Sequence, residues 1–358
     1  MERNIVAFIK STNRFLLFAF CFVLFVCSCR KWAPDDLDYL SPRAVYNQKV
    51  FNPILGRTTV YSLIFNTDNS TTPIHFKITN VRYTKSGLPS KDLEKQVQTL
   101  VWKKAYTGWE KSVAEIEAKR VLESHPAWEV RSTSGDFILW AGADSSFMRQ
   151  QPDSGYLFDV EASNTGGSTT YKNLQLIPLR EQPYSPSEMD PITGLQRRNY
   201  PNPGDSSVYS LVYNHPGINN ITDDETNQGL KSDSVRVLFR KKGNGNTLTF
   251  KFMDKDSLPI DISRFNLTNW DSLMHGFNVV RTKTAVTYET AYPIPLIKMP
   301  TRFTNGDGSS AHVSFIFERM GYGHVRQRGT MDLFFNIYQK GDWEIIFYFR
   351  SNPRFRDE

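Results

Sequence analysis

Met331-Asp-Leu-Phe-Phe-Asn-Ile-Tyr338 and Trp343-Glu-Ile-Ile-Phe-Tyr-Phe349 place apolar side chains at every second position. Met331, Leu333, Phe335 and Ile337 form one apolar row and Trp343, Ile345, Phe347 and Phe349 a second, the period-2 pattern of strands with one buried face. With Lys340-Gly-Asp342 as the turn, the two rows read as a hairpin. Keeping both rows on one face then requires Phe335 opposite Phe347, through a three-residue loop or a bulge.

The same alternation runs upstream. Val235, Val237 and Phe239 alternate with Arg236, Leu238 and Arg240. Lys241-Lys-Gly-Asn-Gly-Asn246 then turns the chain into Leu248, Phe250 and Phe252, which predicts another hairpin. Val60-Tyr-Ser-Leu-Ile-Phe-Asn66 recurs as Val208-Tyr-Ser-Leu-Val-Tyr-Asn214, Ile74-His-Phe-Lys-Ile78 as Leu248-Thr-Phe-Lys-Phe252, and Gly87-Leu-Pro89 as Ser257-Leu-Pro259. Three matches in one order point to two copies of a β module. Pro183-Tyr-Ser-Pro-Ser-Glu-Met-Asp-Pro191 and Tyr200-Pro-Asn-Pro-Gly204 separate the copies, and Pro and Gly at that density deny both helix and central strand.

The fold expected is therefore mainly β, with two tandem immunoglobulin-like β-sandwich domains over 53–182 and 205–358 and a Pro/Gly-rich linker over 183–204. One helical insertion is expected near 90–123. Leu93, Val97, Leu100 and Val101 follow helical spacing, and Thr107 with Glu110 resembles a capping box opening a second helix through Val113, Ile116 and Val121 that ends before Pro126.

The amino terminus carries an address. Lys10 and Arg14 precede the apolar run Phe15–Val26, which is too short for a membrane span of about 20 residues and reads as the core of a signal peptide over 1–28. Val26-Cys27-Ser28-Cys29 fits a lipobox with Cys29 as the lipidated residue, so 29–52 is an acylated cysteine and tether. Cys21 and Cys27 leave with the leader, and the mature chain then has no free thiol, disulfide or cysteine metal ligand. The acyl chains would stabilise membrane attachment by about 0.8 kcal/mol per buried CH₂.

The 358 residues carry a formal net charge of +6. Arg3, Lys10 and Arg14 against Glu2 account for two of these charges, and the remaining basic residues alternate with acidic ones, apart from a loose cluster at Arg319, Arg326, Arg328, Arg350, Arg354 and Arg356. That pattern excludes a phosphate-neutralising stripe and argues against nucleic acid. No nucleophile elbow, zinc helix or phosphate loop occurs, so no catalytic residue, metal site or cofactor is assigned. Gly306-Asp-Gly308 precedes a strand and reads as a turn. Asp223-Asp-Glu225 lacks the spacing of a calcium loop and reads as a solvated acidic loop.

The outward face of the last hairpin remains as a candidate. Asp332, Phe334, Asn336 and Tyr338 would stand beside Glu344, Ile346, Tyr348 and Arg350, with Phe334 opposite Tyr348. Aromatic faces ringed by carboxylate, amide and guanidinium groups suit sugars. The alternative is that this face packs against the other domain.

Leu37-Asp-Tyr-Leu-Ser-Pro42, Glu115-Ile-Glu-Ala-Lys-Arg120, Gly155-Tyr-Leu-Phe-Asp-Val-Glu161 and Arg180-Glu-Gln-Pro-Tyr-Ser-Pro186 resemble an uncharacterised lipoprotein family of Bacteroidetes, a domain of unknown function whose members are often encoded beside starch-utilisation-type uptake systems. The resemblance covers residues 29 to about 190 and carries no catalytic residues. It implies an outer-membrane lipoprotein, on the surface or periplasmic side, near transporter proteins that import glycans. Arg30-Lys31 departs from the acidic signal that such cysteines often precede. The readings that follow are a non-enzymatic glycan-binding or accessory lipoprotein, a structural or adhesion lipoprotein that binds protein partners, and a cryptic hydrolase.

Overall fold

The computed structural model describes residues 38–202 and 206–358; the expected signal peptide over 1–28 and residues 29–37 of the expected tether, Cys29 included, lie outside the described residues, whereas 38–52 is not a tether but part of the fold, with Tyr46 and Phe51 buried in the first core. The described chain is mainly β, with several sheets and no barrel. Two apolar cores form, one from residues between Tyr46 and Leu176 and one from residues between Ile221 and Phe349.

In the first half, β1 (His75–Tyr83) pairs with the long hairpin of β4 (Tyr156–Asn164) and β5 (Gly167–Leu176), and Val50–Phe51 adds a parallel edge to β5. A second sheet orders Thr59–Tyr61, Phe137–Leu139 and Trp128–Val130. Aromatic rings fill the space between: Trp128 stacks on Phe137 at 5.1 Å, and Phe51 meets Phe137 edge-on at 5.0 Å. Offset and edge-to-face pairs add about 0.5–1.5 kcal/mol each beyond their area. That gain helps explain the abundance of Phe.

Residues 90–123 differ from expectation. Asp92–Glu94 is a single 3₁₀ turn, and β2 (Gln96–Trp102) pairs with β3 (Arg120–Pro126) as a hairpin, Leu100 opposite Leu122 and Val101 opposite Val121. The run satisfies both periods, but Val97 and Thr99 are buried while Gln96 and Gln98 are exposed. Alternating β-branched Val97, Thr99 and Val101 favour the pleat. The one α-helix here, α1 (Val113–Glu117), starts from Ser112, whose Oγ accepts the Glu115 N–H at 3.1 Å. Glu110 does not open it; its carboxylate instead accepts the backbone N–H of Thr107 and of Gly108, each at 2.9 Å, and pairs with Lys119. Burial penalises that charge, yet Lys119 and the Thr107 donors outweigh it and hold the carboxyl down at about 2.

In the second half, one sheet comprises β6 (Val235–Gly243), β7 (Thr247–Met253), β8 (Phe277–Arg281), β9 (Ala285–Glu289) and β12 (Asp342–Phe349), in the order β6-β12-β7-β9-β8. The other is built on β10 (Ala311–Gly321) and β11 (Val325–Ile337), with Gly217–Asn219 and Tyr184–Ser185 paired along β11. Neither expected hairpin forms. β12 lies between β6 and β7, antiparallel to the first and parallel to the second, whereas β11 belongs to the other sheet. Phe335 faces Ala311, and Phe347 lies between Val237 and Phe252. Both apolar rows still reach one core, because the turn after Ile337 carries the chain across that core rather than back along the same sheet. The stretch read as a linker contributes the strand Tyr184–Ser185, with Tyr184 stacked on Phe239 at 4.5 Å.

The repeated motifs match locally. After β1 and after β7 the chain makes a similar return, one residue longer in the first case, with Tyr83 N–H bonded to Leu88 O and Asp254 N–H to Leu258 O, both at 2.9 Å. Each return has a left-handed residue, Gly87 at φ 69° and Ser257 at φ 63°, and a 3₁₀ turn follows. The strand partners do not correspond: β1 has β4 alone, while β7 has a neighbour on each side. Val60–Asn66 and Val208–Asn214 also pair differently.

The two halves meet where residues 106–120 lie against 275–302. His275 Nδ1 accepts the Tyr106 hydroxyl at 2.5 Å, Nε2 donates to the Glu110 carbonyl at 3.0 Å, and its ring stacks on Phe303 at 5.0 Å. Arg120 donates to the Tyr292 carbonyl at 2.6 Å. Burial lowers the His275 pKa, opposed by the Glu110 carbonyl and the Glu110 and Glu115 charges and assisted by Arg302.

Two predictions test this packing. Phe252 is fully buried, stacked on Phe347 at 5.2 Å and tilted against Phe265 at 4.4 Å; Phe252→Ala should cost about 3–5 kcal/mol in urea unfolding, with an unchanged m-value. Because the folded pKa of His275 is depressed, the unfolded chain takes up that proton first as pH falls. Stability should therefore be level above neutrality and decline below the unfolded pKa, and His275→Gln should remove part of the melting-temperature loss between about pH 7.5 and about pH 5.5.

Candidate functional site

β10 and β11 pair in register along their whole length, His312 opposite Phe334 and Ser314 opposite Asp332. Val313, Phe315, Leu333 and Phe335 point into the core. Alternation therefore commits His312, Ser314, Asp332 and Phe334 to the outer face. Phe334 is 50% exposed, the largest apolar side chain on that face. Its ring lies flat on the His312 imidazole, with centroids 4.4 Å apart and planes 11° apart. His312 Nε2 in turn meets Asp332 Oδ1 at 3.0 Å. On the next strand the partner of Asp332 is Gly217, which has no side chain to cover the carboxylate. The result is a short platform: one open aromatic face whose tilt is set by a cross-strand imidazole, with an acceptor beside it.

The other expected residues separate from this pair. Asn336 is buried, where its amide donates to Ser309 O at 2.7 Å and accepts from Ser310 Oγ at 3.1 Å, so it braces the loop before β10. Tyr338 lies at the junction of the halves with the Arg57 guanidinium 4.2 Å from its ring centre. Glu344, Tyr348 and Arg350 belong to or follow β12 in the opposite sheet. Glu344 pairs with Lys251 at 2.6 Å, Ile346 lies between Leu238 and Lys251 and is buried rather than open, Tyr348 lies between Arg236 and Met253, and exposed Arg350 bonds through its backbone to Ser234 O. Phe334 is thus not opposite Tyr348, because the outer faces of two sheets that share a core point away from each other. His312 is the member sequence reading missed. Its alternation as a strand residue was legible, but its register against Phe334 was not.

Other polar groups in this half have structural partners. Asp223 Oδ1 accepts the N–H groups of Glu225 and Thr226 and the Thr226 hydroxyl, and these bonds hold its carboxyl below the ordinary range. This is a self-satisfied turn rather than an open ligand set. Among the described residues no group of three or more His, Cys, Asp or Glu side chains converges as a metal-binding set, and no helix among them is long and apolar enough to cross a membrane. Where the halves meet, Tyr106, His275, Ile294, Met299 and Phe303 line an apolar cavity of about 30 Å³. Ligand pockets run to hundreds of Å³, so this one holds no more than a water-sized group.

No curated protein and no solved structure matches the chain. The model of the domain of unknown function DUF5007 matches residues 65–357, which takes in every strand from β1 to β12, the second core and the platform, and all of the first core after Ile64; the chain belongs to the DUF5007 family.

Proposed function

We propose that this DUF5007 chain is an outer-membrane lipoprotein, anchored through Cys29, that binds glycan without catalysis as an accessory of an uptake system. In this reading the two cores are the interiors of two tandem immunoglobulin-like sandwiches, and the second presents the ligand platform. One observation carries it: Phe334 holds half its surface in water, its ring fixed by His312 and flanked by the Asp332 carboxylate. Sugar rings offer an apolar C–H face edged by hydroxyls, so a fixed aromatic plane with an adjacent acceptor matches both features. Platform rigidity also limits the ordering cost of binding. The leader and lipobox support the location, and the mixed surface charge fits a neutral polymer better than a nucleic acid.

A second reading, an adhesion lipoprotein that binds a protein partner, is favoured by the hairpin of β2 and β3. There Leu100 and Leu122 face each other across the strands, 44% and 59% exposed, with Val121 adjacent.

Affinity gel electrophoresis of the chain from residue 36 onward against a panel of polysaccharides separates the two. Retardation by one glycan is expected, and Phe334→Ala should weaken it about tenfold, or about 1.4 kcal/mol. The melting temperature should hardly change, since a surface substitution typically stays within about 0.5 kcal/mol. Retardation by no glycan would remove this reading and leave the protein-partner one.

A further inference from the structure

A second concave surface lies in the first half, where the turn after β1 approaches the segment leading into β4. Lys85, Gln150, Gln151, Ser154 and Arg180 line an open cleft of about 510 Å³. Gly155 makes the wall possible: at φ 70° its α-carbon passes so close to β5 that a β-carbon would lie 2.1 Å from the Leu176 carbonyl oxygen. The Gly155 carbonyl accepts the Thr84 N–H at 3.0 Å, which ties the Lys85 turn to that wall.

The charge in the cleft is unbalanced. Asp153 is committed, its Oδ1 accepting the Gly155 N–H at 3.0 Å and its Oδ2 pairing with Arg149 at 3.3 Å. Lys85 and Arg180 form no ion pair among the described residues, so together they leave two positive charges at one cavity. Arg180 is also positioned: its Nε donates to the Ile192 carbonyl at 3.1 Å, and its chain packs on Gly194, where a β-carbon would stand 3.0 Å from Arg180 Cδ. The turn 190–194 therefore holds the stem and Nε while the terminal nitrogens remain for a ligand. Of the lining residues, Gln150 Oε1 and Ser154 Oγ are buried and have no hydrogen-bond partner among the described residues. An unsatisfied group of this kind costs about 1–3 kcal/mol, which a ligand that supplies the partner would recover.

We propose that this cleft binds an acidic sugar, with the carboxylate of a uronic acid residue at Lys85 and Arg180 and its hydroxyls at Gln150 Oε1 and Ser154 Oγ. The amide oxygen decides between ligand classes. It only accepts, so it needs a donor, which a sugar hydroxyl supplies and an ionised sulfate does not. A planar carboxylate also suits the guanidinium fork. The assignment rests on and deepens the glycan reading by adding a basic subsite for an acidic sugar, remote in sequence from the Phe334 platform.

The test is titration of the mature chain, by calorimetry, with sodium D-glucuronate, D-glucose and inorganic phosphate. Glucuronate should bind at least tenfold more tightly than either of the others. Arg180→Gln should weaken it about tenfold or more, and Ser154→Ala several-fold. Lys85→Gln, at an exposed position without an ion pair, should weaken it without affecting folding, which covers the case where the clasped Arg180 cannot be replaced. Equal affinity for phosphate, equal affinity for glucose, no binding of glucuronate, or Lys85→Gln binding as wild type would each overturn the proposal. Retardation by a neutral polysaccharide with no glucuronate binding would sink this subsite alone, whereas glucuronate binding without any such retardation would sink the platform and keep the cleft.

Discussion

Strand β12 sits between β6 and β7, so the last strand of the chain has backbone partners on both sides. It carries Trp343, Ile345, Phe347 and Phe349 into the core, where Phe347 packs against Phe252 and Phe315. The second half cannot complete its larger sheet until residues 342–349 are in place, because without β12 the facing edges of β6 and β7 would keep unpaired N–H and C=O groups. Such edges are prone to pairing with other chains. The central pairings also join residues distant in sequence, which makes this half dependent on non-local closure.

That placement explains the two surfaces. Since β12 takes the centre of one sheet, β11 must build the other, and the face bearing Phe334, His312 and Asp332 opens on the side away from Tyr348 and Glu344. The platform is small because it belongs to two strands of one sheet, not to a hairpin shared with β12. The cleft in the first half depends on a different constraint, the close pass of Gly155 over β5, which draws Ser154 and Gln150 toward the Lys85 turn.

The halves are joined by specific polar contacts rather than by a shared apolar core. His275 satisfies Tyr106 and the Glu110 carbonyl at once, and Glu110 in turn gathers Lys119 and the N–H groups of Thr107 and Gly108. Such a network is strong only while each member keeps its protonation state. The segment over 106–120, expected as helix, works mainly as a docked loop whose hydrogen bonds reach the second half.

Alternation of apolar and polar residues was enough to establish a mainly β chain and to identify which side chains of Met331–Ile337 and Trp343–Phe349 face inward, because the period of the pleat is a property of the local backbone. The Leu-Pro pairs after β1 and β7 were legible as a repeat, although the return each makes was not read from them. Short range is also where sequence reading failed: over Leu93–Val101 the helical and strand periods fit the same apolar positions, and the pairing of β2 with β3 settled the choice. Which strands neighbour one another, that His312 rather than Tyr348 lies beside Phe334, and that Lys85, Gln150, Ser154 and Arg180 share one cleft were decided by tertiary structure alone. Those juxtapositions follow from hydrogen-bond pairing and core packing between segments far apart in the chain, and no local periodicity encodes them.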